Sequence, residues 1–154
     1  MRHSREEVIE RVCREYEQLD NLVRDLTQVD WARLVPRPEG KDAWTIQDDL
    51  AHITHWKADE IRKLRGLPVP LEERGLDVKD GNHLVYQRWH DRSPQEVLAW
   101  HRQVQADLLA ALREAPETWF NGKEHRPEWP FDIEGHSTNH RVKDIEWALA
   151  VQLK

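Results

Sequence analysis

A helical period that recurs four times, each time with its own start and stop signals, limits the fold of this chain most strongly. The segment "TIQDDLAHITHWKADEIRKLRGLP" opens on Thr45 and Asp48 and closes on Gly66 and Pro68. A hydroxyl that accepts from the first free amides and an acid that reaches back from the third position mark a start. Glycine followed by proline marks a stop. The spacing predicts a helix from about Ile46 to Arg65, with Ile46, Leu50, Ile53, Ile61 and Leu64 as its apolar stripe. A first helix is predicted from about Ser4 to Gln28. Ser4 caps it, Glu7 closes a capping box, and Val8, Val12, Leu19, Val23 and Leu26 recur on one face. A third helix starts at "SPQE", with Ser93 as cap, Pro94 at the first helical position and Glu96 in the box. It runs through Val97, Leu98, Val104, Leu108, Leu109 and Leu112 and ends before Pro116. A fourth is predicted from about Ile133 to Leu153, and a shorter helix within 76–91 around Leu84, Val85 and Trp89.

No segment alternates with period two, so strands are not expected. The chain has 154 residues, enough for one domain over 1–154 that buries roughly 70% of its unfolded surface. The expected fold is an all-α four-helix bundle with a long, partly helical second-to-third connection, which allows parallel neighbours.

Charge and cysteine content narrow the partners. The formal net charge is −6, and nonspecific nucleic-acid binding needs a basic face, so no nucleic acid is expected. No stretch approaches the roughly 20 apolar residues of a membrane span, so no membrane partner is expected. Cys13 is the single cysteine; it cannot form an internal disulfide, which fits a reducing cytoplasm. The eight tryptophans suit a core and also a small-molecule pocket.

The histidines carry the candidate chemistry. In "EGHSTNHRVKD" (134–144), His136 and His140 are four apart, and Asp144 is four further on. On a helix, residues four apart lie about 40° round the axis and one turn along it, so two imidazoles can grip one ion. A third ligand must come from another helix. His52 and His55 in "DLAHITHWK" are the candidates. His55 falls opposite the apolar stripe and is expected in solvent; His52 lies at its margin. His3, His83, His90, His101 and His125 are expected to be surface or packing residues, with His3 in a fraying terminus. Asp49, Asp59 and Asp144 are candidate bases or groups that orient an imidazole, weighed against the plainer reading of solvated carboxylates. Trp56 and Trp147 flank the two His clusters by spacing, and Trp129 in "EWPF" is a candidate lid residue.

"AWTIQDDLAHITHWK" resembles the second-helix signature of the DinB-like four-helix bundle superfamily, and "HSTNH" its fourth-helix His-x-x-x-His. "NHLVYQRWHDRSPQEVLAWHRQVQADLLAALRE" resembles the middle of the ClbS/DfsB-type branch. The resemblance implies up-down-down-up topology and a divalent metal, zinc or nickel, on His52, His136 and His140. Laid on the ClbS-type fourth-helix pattern with a shift, the sequence gives His52, His140 and Asp144 instead. The three-His set needs no ligand substitution, and Ser137 replaces the aromatic of that pattern. The implied chemistry is hydrolysis of a small electrophile or transfer of a low-molecular-weight thiol to it, in a homodimer. The alternatives are a ClbS-type protein that sequesters a small molecule without turnover and a structural bundle with incidental histidines.

Overall fold

The structure is a computed structural model that describes residues 3–36, 38, 41–121 and 142–151. Among these residues there are seven α-helices: α1 (Arg5–Val23), α2 (Gln28–Trp31), α3 (Ile46–Leu64), α4 (Val78–Trp89), α5 (Pro94–Glu114), α6 (Thr118–Asn121) and α7 (Val142–Val151). A 3-10 turn at Leu71–Glu73 lies in the connection between α3 and α4. The one extended pairing among the described residues is an isolated bridge between Leu34 and Thr45. The fold is the expected all-α bundle, built on α1, α3, α5 and α7.

Local chemistry explains the boundaries. Thr45 and Asp48 form a full capping box at α3, each side chain bonding the other's backbone. At the far end Leu67 N donates to Arg62 O and Gly66 N to Lys63 O, and Gly66 takes φ 65°. This is the paired-bond helix stop that favours glycine. Ser93 and Pro94 start α5 as expected, with Ser93 accepting from Glu96 N, but Glu96 does not close the box and its carboxylate faces Arg92 at 3.8 Å. At α1 only half the expected box forms. Ser4 accepts from Glu7 N, but the Glu7 carboxylate is taken by His3 Nδ1 at 2.9 Å. His3 is accordingly 9% exposed, not frayed. The first helix also stops at Val23, short of Gln28, because Thr27 and Asp30 make a second capping box that starts α2. The predicted stretch 133–141 of the fourth helix lies outside the described residues.

Contacts between named residues set the topology. Arg5, at the start of α1, donates to the carbonyl oxygens of Leu112 and Arg113 at the end of α5. One core cluster joins Leu19 and Val23 of α1 to Ile46 and Leu50 of α3 and Val97 of α5. The other joins Val8 and Val12 to Ile61, Leu64, Leu108 and Leu112. Helices α3 and α5 are therefore parallel to each other and antiparallel to α1. Gln18 donates to Glu146 and Arg33 to Leu149 O, which runs α7 alongside α1. The order is up-down-down-up.

Between the two apolar clusters sits a charged layer contributed by α1, α3 and α5. Lys57 is 1% exposed, 2.6 Å from Glu15 Oε2 of α1. It also lies 3.0 Å from His101 Nε2 and donates to Gln105 Oε1 at 3.0 Å, both on α5. The Tyr16 ring lies 5.6 Å from the ammonium and 5.2 Å from the His101 ring. These contacts tie α1, α3 and α5 together at one level of the bundle.

Candidate functional site

Helix α3 carries most of the candidate residues because its first half is buried nearly all round. Asp49, Leu50, Ala51, His52, Ile53 and Thr54 are all 2% exposed or less. The sequence placed His52 at the margin of the apolar stripe; in the structure that margin is covered and the imidazole is 2% exposed. The His52 ring lies 4.7 Å from the Trp44 ring, tilted by 42°, and Trp44 is itself 2% exposed. The indole fixes one face of the imidazole, which restricts its rotamers.

Two of the candidate carboxylates are buried rather than solvated. Asp49, one turn before His52 on α3, is 0% exposed, and Asp144 on α7 is 1% exposed. Asp144 lies between Val142 and Ile145, which pack in the same cluster as Trp44, Leu50 and Ile53. Helices α3 and α7 are in direct contact. The reading of Asp49 and Asp144 as solvated surface acids is therefore overturned. The helical period that gives α3 its stripe continues past it, because neighbours pack on more than one face.

The third candidate, Asp59, is differently engaged. Arg62 grips its Oδ1 at 2.9 Å and Lys63 its Oδ2 at 3.3 Å. Desolvation raises its pKa, but these cations together outweigh it and hold the carboxyl below the usual aspartate value. Trp56 and Asp59 line a cleft of about 240 Å³ together with His55 and residues of the α3–α4 connection. His55, expected in solvent, is half-buried under that connection, with Nε2 3.2 Å from Glu73 Oε1. Burial lowers the pKa of its imidazole, partly offset by the carboxylates of Glu73 and Asp59. Trp147 stands on α7 with 49% exposure. His136, His140 and Trp129 lie outside the described residues, as does His125.

The remaining described histidines are packing residues with acid or aromatic partners. His83 pairs with Asp42 at 2.7 Å and stacks toward Tyr86. His90 meets both Asp48 oxygens, at 2.8 and 3.0 Å. His101 is fully buried in the charged layer. Burial, then the neighbouring Lys57 charge, push its pKa well below the ordinary histidine value. Sequence reasoning missed the Glu15–Lys57–His101–Gln105 group altogether. The available signal was Lys57 on the apolar side of α3, four residues after Ile53 and four before Ile61.

Among the described residues, no group of three His, Cys, Asp or Glu side chains is arranged to hold a metal ion by itself. The donors that α3 and α7 contribute, a buried imidazole and two buried carboxylates, are nonetheless of the kinds that bind zinc and nickel. Among the described residues, no helix is long and apolar enough to cross a membrane.

Comparison with known proteins agrees with this architecture. A crystal structure of an uncharacterised protein from Escherichia coli UTI89 superposes with a TM-score of 0.75 at 13% identity, covering 97% of this chain and 95% of that one. The colibactin self-resistance protein ClbS, crystallised in complex with a dsDNA, superposes with a TM-score of 0.70 at 14% identity, covering 98% and 96%. No curated protein sequence matches the chain. Residues 12–131 match the family model described as the mycothiol maleylpyruvate isomerase N-terminal domain. The chain belongs to that family, within the DinB-like superfamily.

Proposed function

We propose that this protein is a divalent-metal enzyme that acts on a small electrophilic molecule, with zinc or nickel held by His52, His136 and His140. The observation that carries the reading is the enclosure of His52 against Trp44, with Asp49 and Asp144 buried on the same pair of helices. A desolvated imidazole in a fixed rotamer suits a metal ligand better than a surface role. The bound ion would supply a Lewis acid that lowers the pKa of a water or a thiol. The chain's own part is to present neutral imidazoles, exclude bulk water around them with Trp44, and orient them through Asp49 and Asp144. The family name carries a low-molecular-weight thiol, mycothiol, which supports a thiol as co-substrate.

Metal analysis of the purified protein tests the reading. One zinc or nickel per chain is expected, lost in His52→Ala and in His140→Ala. Retention of full metal in both variants overturns it. Comparing His136→Ala with Asp144→Asn decides the third ligand: the three-His set predicts loss of the metal in the former and only a weakened affinity, by about 10–100-fold, in the latter.

A second reading is favoured by the likeness to ClbS: a protein that sequesters a small toxic molecule without turnover. It predicts saturable binding that survives a chelator and yields no product. ClbS was crystallised with dsDNA, so a duplex gel shift belongs in the same series. The net charge of −6 predicts no shift at physiological salt. A homodimer is part of the first reading, with the half-exposed Trp147 as a contact residue, and is checked by light scattering.

A further inference from the structure

The connection between α3 and α4 forms a strap over an open cleft. Gly66 and Gly75, with φ of 65° and 77°, bracket it. It leaves Leu67, Val69 and Leu71 at 54%, 40% and 76% exposure, so apolar packing does little to hold it down. Polar latches do. Glu73 meets His55 at 3.2 Å, Glu72 meets Arg88 at 2.9 Å, and Leu67 O accepts from Arg62 at 3.1 Å.

The cleft beneath has a volume of about 380 Å³, within the range of small-molecule sites. Its apolar lining is Leu67, Pro68 and Pro70 of the strap and Trp100 of α5. Its polar lining is His55, Arg62 and Arg88 together with two carboxylates already engaged, Asp59 by Arg62 and Glu73 by His55. The two arginines differ in availability. Arg62 is pinned by Asp59 and by the Leu67 carbonyl. Arg88 is 39% exposed, and its partner Glu72 is 57% exposed and does not line the cleft. An exposed pair of this kind is weak, so exchange of one carboxylate for another costs the protein little. Positions 55, 59 and 62 share one face of α3, centred roughly 50° round the axis from His52 and about 110° from Asp49.

We propose that this cleft is a second ligand site, for a small organic anion with an aromatic or aliphatic body. The body packs between Trp100 and the prolines of the strap. The anionic group takes the Arg88 guanidinium in place of Glu72, beside His55. Glu72 and Glu73 act as internal stand-ins for the ligand, holding the strap closed when none is bound.

The test uses two probes on the full chain in the presence of EDTA: 1-anilinonaphthalene-8-sulfonate and its neutral counterpart N-phenyl-1-naphthylamine. Saturable one-to-one binding of the sulfonate is expected from fluorescence titration, with energy transfer from tryptophan. Arg88→Met keeps the apolar stem and removes the charge. It is expected to weaken the sulfonate about tenfold, the effect of one charge-assisted hydrogen bond, and to leave the neutral probe unchanged. Glu72→Gln is expected to tighten the sulfonate roughly threefold by removing its competitor. Absence of one-to-one binding, or equal effects of Arg88→Met on both probes, overturns the proposal. Because EDTA is present throughout, failure here is distinguishable from failure of the metal reading.

Discussion

At the scale of single residues, the buried Lys57 is the most consequential side chain. Its ammonium is desolvated, which lowers its pKa, and the Glu15 carboxylate offsets that. Removing one partner leaves an uncompensated charge in the core. Glu15→Gln or Lys57→Met should therefore destabilise the fold by about 3–5 kcal/mol, whereas replacing both with apolar residues of similar volume should cost far less. Urea denaturation of the two single variants and the double variant measures the difference; additive losses would contradict the pairing. His101 makes a pH prediction. Its folded-state pKa is depressed by burial and by Lys57, so the unfolded chain binds its proton first. Stability is then fully present above the unfolded histidine pKa of about 6.5 and is lost as pH falls from there toward the folded value. His55, also depressed, contributes with the same sign. Denaturation midpoints between pH 7.5 and 5.5 should fall, with a shallower slope in His101→Gln. An identical slope in that variant would show that His101 is not a source.

At the scale of elements, the helix ends were the most legible part of the sequence. Thr45, Asp48, Gly66, Ser93 and Pro94 each do locally what their chemistry dictates, because capping needs only residues within one turn. Glu7 went elsewhere because His3 competed for its carboxylate, and a neighbour just outside the capping pattern is invisible to that pattern. Gly66 gives a quantitative check. A Cβ added there would meet nothing within 4 Å, so the penalty of Gly66→Ala is conformational alone. It should be about 1 kcal/mol, with Gly66→Asn costing less. Thermal unfolding followed by circular dichroism reads both. A neutral Gly66→Ala would mean that the α3 stop does not depend on the left-handed turn.

At the scale of the molecule, the metal reading predicts linkage between ion and stability. A ligand that binds only the folded state at one hundred times its Kd adds about 2.7 kcal/mol. Chelation should therefore lower the melting temperature of the wild-type protein, and added zinc or nickel should restore it. In His52→Ala the melting temperature should be indifferent to both treatments; an undiminished response there would place the ion elsewhere.

The sequence by itself determined that the chain is all-helical, where α3 and α5 begin and end, and which residues form the apolar stripes. Those properties follow from periodicity and capping within a few residues. It also singled out His52. Only the tertiary structure decided which polar groups are enclosed. Asp49, His52, Lys57, His101 and Asp144 are buried because second and third helices cover faces that a single-helix stripe leaves open. His55 is drawn out of solvent for a similar reason: the α3–α4 strap folds over it. Whether a polar side chain faces water depends on which other helix arrives, and no local pattern in the sequence encodes that.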